Sequence, residues 1–127
     1  MFRDKTVSLV IPAYNEEVTI TAVVEEFRAN SLLDEILVVD NNCTDNTAEL
    51  ARSAGARVIV EPRPGYGRAL RAGMDAAKGD ILVLTEADGS FRARDVVKLL
   101  VSTRYCYKAP TKACLYNTKS MIDGYLQ

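Results

Sequence analysis

At 127 residues the chain makes one domain on the usual scale of about 100–200 residues, and such a chain buries about two-thirds of its unfolded surface without staples. Hydrophobic residues at 48% and charged residues at 26% are those of a folded globular protein, and 16 basic against 17 acidic residues, net −1, imply no nucleic-acid partner. Histidine is absent, which excludes a Ser-His-Asp triad, a Cys-His pair and imidazole metal ligands and leaves acid–base and metal work to carboxylates.

From residue 7 the chain repeats strand, turn and helix four times. Val7–Pro12 is a short apolar, β-branched run closed by proline, which predicts a strand. Asn15, Glu16 and Glu17 then open a helix to about Asn30, with Val23, Val24 and Phe27 on one side. Glu35–Asp40 is the second strand, and Thr44-Asp45-Asn46-Thr47 starts a helix that stops at Gly55. Val58–Val60 is the third strand, ended by Pro62 and Pro64 before a helix from about Gly67 to Lys78. Ile81–Leu84 is the fourth strand and Ala93–Val101 the fourth helix. Continuously apolar strands separated by helices predict a mainly parallel sheet covered on both faces, an α/β doubly wound sandwich with right-handed crossovers.

Near residue 101 the composition changes. Residues 1–101 carry 12 basic and 16 acidic residues, whereas residues 102–127 carry four basic and one acidic, with four of the six tyrosines and two of the three cysteines. Residues 1–101 are therefore expected to form the domain and residues 102–127 a divergent tail. Within the tail, Thr103–Tyr107 reads as a short strand and Lys112–Leu126 as a short helix; an ordinary surface segment is the alternative. Cysteines 43, 106 and 114 have no zinc spacing and suit a reducing compartment. No run approaches the roughly 18 apolar residues of a membrane helix, and Met1–Lys5 opens no secretory signal. The expected location is cytoplasmic, with peripheral membrane contact if the acceptor is a lipid.

In parallel sheets of this kind ligands bind beyond the carboxyl ends of the strands. The first strand ends in Pro12-Ala13-Tyr14-Asn15-Glu16, the second in Asp40-Asn41-Asn42-Cys43-Thr44-Asp45 and the fourth in Thr85-Glu86-Ala87-Asp88-Gly89-Ser90. The third is followed by the basic loop Arg63-Pro64-Gly65-Tyr66-Gly67-Arg68. One rim thus offers carboxylates, arginines, glycines and helix N-termini, a set that suits a nucleoside diphosphate with a divalent metal. Each group also has a structural reading. Thr44 and Asp45 fit helix caps, Asp40 a turn, Glu86 and Asp88 a solvated turn, Gly65 and Gly67 a tight helix entry, Tyr14 a half-buried aromatic and the cysteines small buried groups. A dinucleotide fingerprint is excluded, because Ala13-Tyr14-Asn15-Glu16 has no glycine, and no Gly-Lys-Ser/Thr phosphate loop occurs.

The four segments, Val7–Glu17, Ile36–Thr47, Gly65–Leu70 and Gly79–Ser90, resemble family 2 glycosyltransferases in order and spacing over residues 6 to about 100. They are most similar to the branch of dolichyl- and polyprenyl-phosphate mannose synthases. The resemblance implies the Rossmann-like GT-A fold, a nucleoside-diphosphate sugar donor, Mn²⁺ or Mg²⁺, and transfer with inversion to a lipid-phosphate or glycan acceptor. Carried over by position, Pro12, Ala13, Tyr14 and Glu16 would line the base and ribose pocket. Asp40 would accept a hydrogen bond from the base, with Asn41 and Asp45 beside it, and Arg68 would approach the donor. Glu86 and Asp88 hold the positions of the acid-x-acid motif, Asp88 as metal ligand and Glu86, where Asp is usual, one methylene further out.

The resemblance also implies a further stretch carrying the acceptor loop and a catalytic base, which residues 102–127 do not match. The chain is thus expected to be a truncated, donor-binding half domain. Two functions are open: a transferase, or a non-catalytic nucleotide-binding or interaction module derived from one. A tail strand beside Ile81–Leu84 would still leave an open edge that invites pairing with a second copy, so a homodimer built from the fourth strand's side of the sheet and the tail is expected.

Overall fold

The computed structural model describes residues 1–101, 107–108 and 113–116. In chain order the elements are β1 (Val7–Ala13), α1 (Ile20–Arg28), β2 (Glu35–Asp40), α2 (Thr47–Ala54), β3 (Arg57–Val60), α3 (Tyr66–Ala76) and β4 (Ile81–Leu84). A 3-10 turn (Ala93–Asp95) leads into α4 (Val96–Val101), followed by β5 (Tyr107–Lys108) and β6 (Ala113–Tyr116). All four expected strand–helix units are present.

The sheet order is β3-β2-β1-β4-β6-β5. The first five strands in that order pair in parallel, for example Leu9 with Ile36 and Leu9 with Val83, and only the short β5 runs antiparallel to β6. Winding proceeds outward from β1 to β3 and then returns to the other side of β1 at β4. Reversing direction with right-handed crossovers requires the returning helix to change face. Side-chain alternation shows that it does. Leu9, Ile11, Val38 and Val83 pack with Val24, Phe27, Ala51, Val96 and Leu100 of α1, α2 and α4. Val10, Leu37, Val39, Leu82 and Leu84 pack with Ala69 and Leu70 of α3.

α3 lies close to the sheet because Gly73 has no side chain. A Cβ there would fall inside the van der Waals shell of Val10 and stand 2.9 Å from Val39 Cγ2. Gly73→Ala must push the helix off the sheet, and overpacking of this kind costs about 1–3 kcal/mol. Urea unfolding should show that loss, with no gain from the better helix former.

The amino ends of the strands are closed by a polar network. Glu35 accepts hydrogen bonds from Ser8 Oγ at 2.7 Å, Lys78 N at 2.9 Å and Arg57 at 2.7 Å, while Gly79 N donates to Ser8 Oγ at 2.8 Å. Asp80 accepts from Thr6 N and Oγ1, and Asp34 accepts from Val7 N and pairs with the N-terminal ammonium.

Two expectations need correction. The first helix begins at Ile20 rather than near Glu16, because residues before it are held by the neighbouring turn: Glu16 N donates to Thr47 Oγ1 at 2.9 Å and Glu17 N to Asp45 Oδ2 at 3.3 Å. Residues 113–116 form a strand, not the start of a helix. That strand pairs with β4 from Ile81–Ala113 to Leu84–Tyr116, so β4 is followed in the sheet by β6 and β5 of the same chain. Of the strand expected at Thr103–Tyr107, Tyr107 lies in β5 and the rest lies outside the described residues. No helix among the described residues is long and apolar enough to cross a membrane.

Candidate functional site

A cleft of about 720 Å³ opens beyond the carboxyl ends of β1, β2 and β4 and the N-terminus of α3. Pro12, Ala13, Tyr14 and Glu16 line it from β1, Asn41, Asn42 and Thr44 from β2, Pro64, Gly65, Tyr66 and Ala69 from the loop and helix after β3, and Glu86, Ala87 and Asp88 from β4. This is the switch point between β1 and β4, where the crossovers diverge and leave a crevice. Seven of the ten residues singled out from the sequence share it: Pro12, Ala13, Tyr14, Glu16, Asn41, Glu86 and Asp88. Asp40, Asp45 and Arg68 are not among its lining residues.

The β1–β2 corner of the cleft is a tightly bonded double turn. Asn15 and Asn42 both adopt positive φ, at 51° and 64°, a conformation that asparagine tolerates better than most residues. Asn15 Oδ1 accepts the Thr44 amide at 2.8 Å. Asp40 Oδ1 accepts the Cys43 amide at 2.9 Å, the turn-forming role for an acid at a strand end. Cys43 Sγ accepts from Asn15 N at 3.3 Å and donates to Ala13 O at 3.4 Å. Burial pushes its thiol up, with the adjacent Asp40 carboxylate adding to the effect, so it is an inert, half-buried group.

Asp45, not Thr44, serves the start of α2. Its Oδ1 accepts from Thr47 N at 3.0 Å and from the Thr47 hydroxyl, and its Oδ2 accepts from Glu17 N. The Thr47 hydroxyl bond, first, and the backbone amides hold Asp45 below the usual carboxylate range. Arg68 is exposed on the first turn of α3, and its charge acts on Glu61.

The acidic wall is asymmetric. Asp88 is exposed, and its Oδ1 accepts the Ser90 amide at 2.9 Å; hydrogen bonds from the Ser90 side chain and amide hold it low. Glu86 is half-buried and pushed up, first by burial and then by the charges of Asp88 and Glu16. The turn between them is tied to α1, since Thr19 Oγ1 donates to Ala87 O at 2.8 Å. Among the described residues no three acids or thiols sit close enough to hold a metal ion alone. A pair of carboxylates is nonetheless the usual protein share of a Mg²⁺ site, which is completed by water and substrate phosphate. The donor set therefore fits a hard cation that arrives with a diphosphate.

The opposite shifts predict a trade between stability and binding. A carboxyl pKa raised in the folded state means that the folded chain holds the proton more tightly. Stability then falls as pH rises from the ordinary value of 4.5 through the raised one. Glu86→Gln should raise the melting temperature at neutral pH, lose that advantage below pH 4.5, and weaken metal-dependent nucleotide binding. Melting curves with and without Mn²⁺ test all three together.

Asn42, Thr44, Pro64, Gly65, Tyr66 and Ala87 belong to the rim segments read from the sequence but were not singled out as site residues, and neither was Ala69. Asparagine in a strand-end turn and a Pro-Gly pair before a helix were visible signals for a shaped backbone. Which of these backbones faces the cleft depends on the sheet order.

Residues 8–103 match the family described as glycosyl transferase family 2. An uncharacterized glycosyltransferase of Mycobacterium tuberculosis is 48% identical over 94 residues, covering 74% of this chain and 42% of the relative. Protein RfbJ of Shigella flexneri is 32% identical over 100 residues, covering 79% of this chain and 78% of the relative. Glucosyl-3-phosphoglycerate synthase from Mycobacterium tuberculosis, solved with Mn²⁺, UDP-glucose and phosphoglyceric acid, superposes with a TM-score of 0.62 at 37% identity, over 66% of this chain and 33% of that one. The same enzyme has been solved with Mg²⁺ and UDP. The chain thus spans less than half the length of the first of these relatives. None of the three is named a dolichyl- or polyprenyl-phosphate mannose synthase, so their names add nothing to the narrower resemblance.

Proposed function

The chain belongs to glycosyl transferase family 2 and has its Rossmann-like GT-A fold, and from that premise we propose that the cleft binds a UDP-sugar with Mn²⁺ or Mg²⁺ and presents it for transfer. One observation carries the reading. The aromatic and apolar end of β1 and the two carboxylates after β4 line a single cleft, which pairs a surface for a base with ligands for a diphosphate-bound cation. Tyr14, 61% exposed, offers a ring face for a base, and Pro12 and Ala13 offer an apolar floor. Asp40 keeps Oδ2 for a base N–H while Oδ1 holds the Cys43 amide. Asp88 and Glu86 would hold the cation, whose chemistry is to neutralise charge on the departing diphosphate.

In the proposed reaction the acceptor oxygen attacks the anomeric carbon opposite the C–O bond to phosphate, which breaks with inversion. The acceptor is a lipid phosphate or a glycan hydroxyl, and its proton passes to a base not assigned to any described residue. Calorimetry with UDP-glucose, with and without Mn²⁺, tests the donor site, and product analysis tests transfer. Metal-dependent binding is expected. Binding without transfer or donor hydrolysis supports a non-catalytic nucleotide-binding module instead, and no binding removes both readings.

A further inference from the structure

We infer that Asn41 is a positioning residue, whose buried side-chain amide fastens the loop at residues 61–65 to the end of β1 and thereby sets the wall of the cleft formed by Pro64, Gly65 and Tyr66. The inference deepens the donor-site reading and rests on it. Asn41 is 7% exposed, and its backbone N–H donates to Ala13 O at 3.0 Å, at the end of β1. Its Nδ2 donates to Glu61 O at 2.9 Å and to Arg63 O at 2.8 Å, and its Oδ1 accepts the Gly65 amide at 3.2 Å. A primary amide has two N–H donors and two acceptor positions. Both donors and one acceptor position are committed to the loop, so the side chain has no N–H left for a base.

Glu61 N also donates to Asp40 O at 2.9 Å, which ties the start of the loop to β2. Pro62 and Pro64 bring no backbone donor. The buried Glu61 carboxylate accepts from Arg63 N at 3.1 Å and from the Arg63 guanidinium at 2.7 Å, which braces the loop only to itself. Gly65 has φ +128°, which L side chains rarely adopt, and a Cβ there would meet nothing within 4 Å. The glycine is required for backbone shape rather than for close packing. A segment shaped by hydrogen bonds instead of packing depends on the group that makes them. Asparagine fits and aspartate does not: the isosteric carboxylate would set an oxygen against two carbonyl oxygens and leave both without a donor.

The test compares the unaltered chain with Asn41→Asp and with Asn41→Ala, which removes the donors without adding a charge. Hydrogen exchange of the peptide covering residues 61–70 is measured in the free protein, and UDP-glucose binding with Mn²⁺ is measured by calorimetry. Exchange at Gly65 should accelerate by about tenfold or more, and binding should weaken by about tenfold, while exchange in β1 and β4 stays protected. Weaker binding with unchanged loop exchange would mean that Asn41 touches the donor directly, which overturns the inference. Faster exchange with unchanged affinity would reduce Asn41 to a structural residue, which overturns it equally. If the unaltered chain does not bind UDP-glucose, the donor-site reading fails on its own. The exchange comparison then still decides whether the amide fastens the loop.

Discussion

Asp88→Ala is expected to abolish the Mn²⁺ dependence of UDP-glucose binding while leaving the metal-free affinity where it was. The carboxylate stands exposed in the cleft with one oxygen held by the Ser90 amide, and that bond and the Ser90 side chain keep it ionised. Glu86 alone is the weaker ligand, because burial raises its pKa and opposes the charged form that a cation needs. A charge-assisted contact is worth about 1.5–3 kcal/mol, which corresponds to a loss of roughly ten- to a hundredfold in affinity with metal present. Asp40→Ala should lose a similar factor with or without metal, since its proposed partner is the base. Titrations in Mn²⁺ and in a chelator separate the two. An unchanged Mn²⁺ dependence in Asp88→Ala would remove the acid-x-acid turn from the metal site.

Phe27→Ala should cost about 3–5 kcal/mol, the usual range for deleting a buried phenylalanine, out of the total of about 5–15 kcal/mol typical of a domain. Phe27 is 1% exposed on α1 and stacks on Phe91 with ring centroids 6.0 Å apart and planes at 23°. Phe91 follows Asp88-Gly89-Ser90 directly, so the pair joins α1 to the segment leaving the acidic turn. Together with the Thr19 bond to Ala87 O, it fixes that turn from both sides. Urea unfolding reads the stability loss, and a Mn²⁺ titration below the unfolding transition should show weakened metal dependence as well. A loss under about 1 kcal/mol would mean that the cavity collapses and that the stack adds little.

The repeating units were legible because their signals are local. Val7–Pro12, Glu35–Asp40 and Ile81–Leu84 are apolar runs bounded by turn residues, and each is a strand within a residue of its expected bounds. The start of α1 was misplaced because Glu16 and Glu17 resemble a first helical turn, yet their amides bond to Thr47 and Asp45 across 28 to 31 residues of sequence. Asn41 shows the same limit, since its side chain bonds to the loop after β3, 20 residues on, which only the folded arrangement brings near. Asp40 and Asp45 are the opposite case: their bonds to Cys43 and Thr47 are local, as the turn and cap readings of those residue types expected. The pairing of β6 with β4 was hidden for a related reason. Ala113–Tyr116 has no periodicity of its own, and the neighbouring strand supplies its register.

The polar network at the amino ends of the strands makes the stability of the molecule sensitive to acid. Bonds from Lys78 N, Ser8 and Arg57 hold Glu35 low against the opposing effect of burial. The Val7 amide and the N-terminal ammonium do the same for Asp34, again against burial, and the Thr6 amide and hydroxyl do so for Asp80. Lowered carboxylates stabilise fully above the ordinary carboxylate range, and that stabilisation drains away as pH falls through their lowered values. Glu86, at the other end of the sheet, gains from the same proton. Acidification therefore withdraws stabilisation at both ends of the sheet, since Asp45 and Asp88 beside the cleft are held low as well, and Glu86 is the group there that opposes the loss. A substitution that removes Glu35 or Asp34 takes away the remote share of that acid sensitivity and leaves the share beside the cleft in place.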